Sequence, residues 1–312
     1  MKTKPYRYLL YLGLKGMEVL ASWLPRGWAL SLAAGIGTLA FWAAGREREK
    51  TLRHLTGAYG GEKTQREIRE LGKRVFIHFA RVAVDVLRFP RLNREEIDRL
   101  VDKGEGLSIL NRALAGGRGV ILLTAHFGNW ELMGAFLRFE GYEGAVVGRR
   151  IYYDKFNEVL LHLRSRVTLR TLYQDASARE FLKILNQNQI LGILADQDVD
   201  RLDGVFVPFF GRPAHTLTAP VKMALATGAP IVPAFLVRKG DHYQFLVEEP
   251  IEVEMKGTRE ETIQEYTARW SRVIEEKIRT WPDQWVWMHR RWKTPPQSLP
   301  IKKEPVQAGA SR

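Results

Sequence analysis

The run Gly119-Val120-Ile121-Leu122-Leu123-Thr124 is followed, after one alanine, by His126-Phe127-Gly128-Asn129-Trp130-Glu131 and then by a helix pattern. The apolar run is short and β-branched, which predicts a strand buried on both faces. Asn129 stands where an N-cap belongs, and Leu132, Phe136 and Leu137 share one face of the helix it would start. A buried strand that turns tightly into an amphipathic helix is the repeating unit of an open α/β sheet. Such sheets place their chemistry at the carboxyl ends of the strands, where this turn carries an imidazole and a carboxylate.

The rest of the chain supplies the neighbours such a unit needs. A helix is expected at 107–114 and a strand at 144–147, which would deliver Arg149 and Arg150 to the same sheet edge. Helices at 155–166 and 177–185 follow. A second fully apolar run at 190–195 then ends in Asp196-Gln197-Asp198. The stretch from Gly204 to Thr216 is aromatic but broken by Pro208 and Pro213, and reads as a pocket wall or a cover for the core. A helix at 217–226 and strands at 231–237 and 243–247 complete the pattern. Thr64-Gln65-Arg66-Glu67 and Thr258-Arg259-Glu260-Glu261 are capping boxes that open two long helices, ending near Pro90 and Pro282. The expected fold is α/β, a mixed central sheet flanked by helices, with one catalytic domain over 46–296 and a disordered tail over 297–312.

The His-x4-Glu spacing proves little alone: with 7 His and 35 acidic residues in 312, about 0.8 such pairs arise by chance (7 × 35/312). Its place at a strand end gives it weight. A neutral imidazole held by a carboxylate can accept a proton from a hydroxyl, since its reference pKa of about 6.5 lies near the working pH. In this reading His126 is the base, and Glu131 fixes its tautomer and balances its charge.

Composition narrows the partners. The net charge of +13 predicts something acidic: nucleic acid, anionic lipid or an acidic carrier protein. No zinc finger or RNA-binding aromatic signature accompanies it, so nucleic acid is not expected. The absence of cysteine excludes disulfides, thiolate catalysis and zinc–cysteine sites. Walker A, His-Glu-x-x-His and Gly-x-Ser-x-Gly motifs are also missing.

The first 45 residues are apolar and aromatic. A charge-free run from Gly27 to Ala44 is about 18 residues long, at the lower limit for a membrane span. Lys2, Lys4 and Arg7 precede the apolar segment and Arg46, Arg48 and Lys50 follow it. Basic flanks at both ends suit a helical hairpin, or helices lying in the cytoplasmic interface with Trp23, Trp28 and Trp42 as anchors. A membrane-associating element over 1–45 is expected, peripheral or single-pass, on the cytoplasmic face of the inner membrane.

His126-Phe127-Gly128-Asn129-Trp130-Glu131 resembles the HX4(D/E) box of the lysophospholipid acyltransferase superfamily, in the form found in bacterial lipid A biosynthesis (late) acyltransferases. Further blocks agree in order: Arg149 after the next strand, Asp196-Gln197-Asp198 with Phe209-Phe210-Gly211-Arg212-Pro213-Ala214, and Trp285-Val286-Trp287-Met288-His289-Arg290-Arg291-Trp292. After Arg164 the pattern departs, because the glycine usual in that family is missing from Ser165-Arg166-Val167-Thr168-Leu169-Arg170.

The resemblance implies a glycerolipid-acyltransferase-like fold acting without metal or cofactor. The donor would be acyl carrier protein or acyl-CoA, and the acceptor a hydroxyl of an anionic glycolipid, a lipid A precursor in lipopolysaccharide biosynthesis. It implies a monomer with His126 and Glu131 as catalytic residues, and Asn129, Arg149, Arg164, Asp196 and Asp198 as substrate-binding residues. Backbone N–H groups of Gly128 and Asn129, with Arg149, would meet the oxyanion. Two alternatives stay open: the same transfer onto a phosphatidylinositol mannoside, lysophospholipid or amino-lipid, or a non-catalytic basic membrane-binding protein.

Overall fold

A computed structural model describes residues 5–148, 154–165, 167–174, 176–199 and 202–296. Arg149, Arg150 and the tail over 297–312 lie outside the described residues. In chain order the helices and strands are α1 (Pro5–Trp23), α2 (Arg26–Ala43), α3 (Gly45–Tyr59), α4 (Gln65–Leu87), α5 (Arg94–Leu100), β1 (Val101–Asp102), α6 (Gly106–Leu114), β2 (Val120–Thr124), α7 (Trp130–Phe139) and β3 (Gly144–Gly148). They continue as α8 (Asp154–Ser165), β4 (Arg170–Tyr173), α9 (Ala178–Asn186), β5 (Ile190–Leu194), β6 (Gly204–Phe209), β7 (Arg212–Leu217), α10 (Ala219–Thr227), β8 (Ile231–Lys239), β9 (His242–Val247) and α11 (Arg259–Thr280).

Seven strands form one sheet in the order β1-β9-β8-β2-β5-β3-β4. All its pairings are parallel except β8 with β9. The two apolar runs, β2 and β5, lie side by side at the centre, with Val120 opposite Ile190 and Thr124 opposite Leu194. Every residue of β2 is buried, because helices cover both faces. One apolar layer joins α3, α4, α10 and α11 to the sheet through Leu55, Leu71, Ile231 and Trp270. The other joins α5, α6, α7 and α8 through Ile97, Leu110, Phe136 and Leu163.

The two threonine capping boxes form as expected: Thr64 and Thr258 each accept from the backbone N–H three residues on, and Glu67 and Glu261 reach back to the cap. Some features differ from the sequence reading. The short helix α5 and the edge strands β1 and β4 were not expected; the two strands, of two and four residues, carry too little pattern to stand out. The Pro-broken segment is an antiparallel hairpin, β6–β7, with Pro208 opposite Pro213. A two-stranded ribbon has open edges on both sides, so a proline can sit where no ladder hydrogen bond is lost.

The N-terminal helices lie against the sheet domain. α2 buries Ala29, Leu30, Ala33, Gly37 and Phe41. At Gly37 the two helix backbones come so close that an added Cβ would stand 2.7 Å from the Ile77 Cα of α4. The other face of α2 is open: Trp28, Leu32, Ile36, Leu39 and Trp42 form an exposed apolar stripe. Its spacing keeps it on one side over about 21 Å (14 residues at about 1.5 Å). No single helix among the described residues is long and apolar enough to cross a membrane; α2 and α3 meet the requirements of length and composition only together, bent by 91°.

Candidate functional site

The β2–β5 register sets the site. Thr124 and Leu194 end the two strands side by side, and the Ala195 N–H donates to the Thr124 carbonyl at 3.1 Å. Two residues beyond each strand end, His126 and Asp196 therefore face each other. The Asp196 carboxylate receives three hydrogen bonds: from His126 Nδ1 at 2.8 Å, from the His126 backbone N–H at 3.0 Å and from Trp285 Nε1 at 2.7 Å. Burial opposes its ionisation, but attraction to His126 and the donated hydrogen bonds outweigh that and hold its pKa at about 2. An ionised carboxylate on that side puts the imidazole proton on Nδ1 and leaves the Nε2 lone pair facing outward.

His126 is the only member of this pair that reaches the surface, with 22% of its side chain exposed against 1% for Asp196. Its Nε2 is 3.1 Å from the Gln197 side-chain nitrogen, which also lies 2.5 Å from His289 Nδ1. Burial, then the neighbouring His126, lowers the His289 pKa to about 4, so at neutral pH its ring is uncharged and Nδ1 can accept from the amide. Trp130 and His289 flank His126, with ring centroids at 5.1 Å and 4.9 Å.

Glu131 is elsewhere engaged. Its carboxylate is held by a forked pair to Arg164, with Nε donating at 2.8 Å, and by Trp130 Nε1 at 3.1 Å. No hydrogen bond joins it to His126 among the described residues, which corrects the expected His126–Glu131 contact. The reason is geometric. Glu131 is in the first turn of α7, on the side toward α8, whereas the Nδ1 edge of His126 turns toward β5.

Asn129 is buried with both ends of its amide used. Oδ1 caps α7 through the Leu132 N–H at 3.0 Å, and Nδ2 donates to the Tyr243 hydroxyl at 3.0 Å. It shapes the turn and offers no group to a substrate. Asp198, another expected substrate-binding residue, is also internal: it accepts from the Thr294 N–H and hydroxyl, both at 2.7 Å. The expected oxyanion donors are spent too. The Gly128 N–H bonds the Gln284 carbonyl at 2.9 Å and the Asn129 N–H the Leu236 carbonyl at 2.8 Å. The N–H groups of Trp130 and Glu131, next along α7, have no partner among the described residues and remain open at the helix start.

The turn is braced from below. Gly128 has φ of +61°, and an added Cβ would stand 2.1 Å from the Leu236 carbonyl oxygen. Gly128→Ala is expected to cost more than about 2 kcal/mol, seen as a lower denaturation midpoint with an unchanged m-value. His78 on α4 bonds the Gly128 carbonyl at 3.1 Å, and burial pushes its pKa down to about 3, so it is neutral. Beneath Asn129, Tyr243 donates to the buried Asp85 at 2.5 Å; Arg238 and Arg26 hold the same carboxylate at 2.5 Å and 2.8 Å. Those two guanidiniums help keep Asp85 ionised against its burial. From the C-terminal side, Phe127 forms a β-bridge with Trp285, and the Val286 N–H bonds the His126 carbonyl at 3.1 Å.

Gln197, Trp285 and His289 complete the site without having been singled out individually from the sequence. The signal available was their position in the Asp196-Gln197-Asp198 and Trp285–Trp292 blocks.

Comparison with known proteins places this constellation in context. The family model described as bacterial lipid A biosynthesis acyltransferase matches residues 2–294. A phosphatidylinositol mannoside acyltransferase of Mycobacterium tuberculosis is 29% identical over 52% of this chain and 53% of its own length. The lipid A biosynthesis lauroyltransferase of Escherichia coli is 29% identical over 63% of each chain. A phosphatidylinositol mannoside acyltransferase of Mycolicibacterium smegmatis is 23% identical over 87% of this chain and 89% of its own. The chain thus spans about half the length of the first of these relatives.

Proposed function

The chain belongs to the bacterial lipid A biosynthesis acyltransferase family, and from that premise we propose that it moves a fatty acyl group from a thioester to a lipid hydroxyl. The donor is acyl carrier protein or acyl-CoA, and the acceptor a lipid A precursor. The observation that carries this reading is the His126–Asp196 pair, an imidazole whose inner nitrogen is fixed by a buried carboxylate and whose outer nitrogen faces the surface.

His126 Nε2 takes the proton of the acceptor hydroxyl as the oxygen attacks the thioester carbon. Gln197 yields its contact with Nε2 to that hydroxyl. The tetrahedral oxyanion is met by the open N–H groups at the start of α7, where the helix dipole favours negative charge. Collapse breaks the C–S bond, and the thiolate takes the proton back from Nε2. The products are an ester and a thiol. Asp196 stays ionised throughout and stabilises the transient imidazolium. Arg164 holds Glu131 and so fixes α8 against the head of α7.

Mass spectrometry of purified protein incubated with acyl-CoA or acyl carrier protein and a lipid A precursor is expected to show one added ester. The relatives that act on phosphatidylinositol mannoside support a second reading with the same chemistry on that acceptor. An ester on the mannoside alone would select it, and no ester on any lipid would return the chain to a non-catalytic role.

The exposed stripe on α2, with Trp23 at the end of α1, supports docking in the inner membrane's cytoplasmic interface without crossing it. Because α2 also packs on α4, deleting it would damage the fold, so surface substitutions are the cleaner test. Trp28→Lys, Leu39→Lys and Trp42→Lys together are expected to cut retention on anionic vesicles at least tenfold in a sedimentation assay while Tm holds. Unchanged retention would move the membrane contact to another surface.

A further inference from the structure

We propose that a cavity on the α7–α8 flank, beside the amino end of edge strand β4, binds the phosphate-bearing pantetheine end of the thioester donor. The inference rests on the acyl-transfer reading and adds a donor site to it. The cavity has a volume of about 650 Å³, and Arg138, Arg164 and Arg170 stand in its wall with Tyr142 and Gln187. A smaller cavity of about 340 Å³ shares Arg170 and Gln187 and adds Lys183.

Charge decides what such a space accepts. Arg164 is neutralised by Glu131. Arg138, Arg170 and Lys183 are exposed, and their side chains have no ion pair or hydrogen bond among the described residues. Two carboxylates share these walls, Glu143 in the larger cavity, accepting from the Gln189 amide at 3.0 Å, and Glu180 in the smaller, accepting from the Ser177 N–H at 2.9 Å. Across the two adjoining cavities Arg138, Arg170 and Lys183 outnumber those two carboxylates, which favours an anion, and guanidiniums match phosphate oxygens in pairs.

Position links the cavity to the chemistry. α7 runs from Trp130, beside His126, to Phe139, beside the cavity, over about 15 Å (10 residues at about 1.5 Å). Arg164 lines the cavity on one side and grips Glu131 on the other, and Glu131 accepts from Trp130, whose ring is 5.1 Å from that of His126. A phosphate held at Arg138 and Arg170 therefore lies about one α7 length from the base. An extended pantetheine arm, with its thioester at the far end from the phosphate, suits that separation. The phosphate is common to acyl-CoA and to acyl carrier protein.

The test compares wild type with Arg138→Glu/Arg170→Glu on three donors: acyl-CoA, acyl carrier protein and acyl-pantetheine, which lacks the phosphate. KM for at least one phosphorylated donor is expected to rise at least tenfold with kcat within twofold, while acyl-pantetheine is unaffected. A rise confined to acyl-CoA assigns the site to its nucleotide phosphates, and one confined to the carrier assigns it to the carrier. Arg138→Gln/Arg170→Gln should fall between. Calorimetric titration reads the site without turnover: the variant should bind 4′-phosphopantetheine at least tenfold more weakly than wild type and pantetheine equally. Unchanged binding and KM, or an equal loss for the unphosphorylated compounds, would overturn the proposal. Absence of ester formation by wild type alongside intact phosphopantetheine binding would instead count against the transfer reaction.

Discussion

His126→Ala is expected to lower kcat by about 10²–10⁴-fold, the usual worth of a positioned general base, while the protein still unfolds cooperatively. The loss follows from the absence of a substitute. Among the groups around Nε2, Gln197 cannot take a proton, and His289, whose basicity is lowered chiefly by burial, has its Nδ1 on the Gln197 amide. The fold should survive because Asp196 keeps two of its three donors, the backbone N–H of residue 126 and Trp285 Nε1. A variant retaining more than about a tenth of the wild-type kcat would remove His126 from the base role. Activity is read as ester formation at saturating donor, with thermal unfolding as the control.

Asp196→Asn is expected to be nearly as damaging, and much more so than Glu131→Gln. An amide at 196 can present N–H to His126 Nδ1, which favours the tautomer with its proton on Nε2 and hides the lone pair the hydroxyl needs. It also removes the charge that balances the imidazolium; in a serine-protease triad the corresponding change costs about 10⁴ in kcat. Glu131→Gln weakens the hold on Arg164 and α8 and touches neither nitrogen of His126. Its effect should be milder, seen mainly in stability. Equal losses from the two substitutions, or the reverse order, would return the orienting role to Glu131.

The contrast between these two acids shows where sequence reasoning stops. The strand, the turn and the N-cap at 119–132 were legible because each is a local pattern: a short β-branched apolar run, a tight turn between strand and helix, an Asn before a helix. The pairing of His126 with Asp196 is not local. It depends on β2 and β5 being neighbours, although β3 and β4 come between them in the chain. Five residues of spacing put Glu131 close in sequence, but helix geometry turns it toward α8. Asp196 is 70 residues away and in contact, because register aligns the strand ends.

The same limit applies to groups the sequence offered as free. Asn129 and the N–H groups of Gly128 and Asn129 carry the right chemistry to meet a substrate. Tertiary partners consume them: Tyr243, Gln284 and Leu236. Asp85, Arg238 and Arg26 gave no signal of acting together, since they come from three elements and meet only when α2, α4 and β8 converge under the turn. The apolar stripe on α2 was visible as hydrophobicity. What the sequence left undecided was that its small residues, Ala33 and Gly37, would pack on α4 and leave only one apolar face exposed.

The most direct test of the central claim, that His126 and Asp196 act as one unit, is a double-mutant cycle on kcat/KM with His126→Ala, Asp196→Asn and the double variant. Residues that work through each other lose activity non-additively. The double variant is therefore expected to be no slower than His126→Ala alone, within about threefold. Losses that multiply, so that Asp196→Asn slows the His126→Ala protein as much as it slows wild type, would show the two acting independently and contradict the assignment.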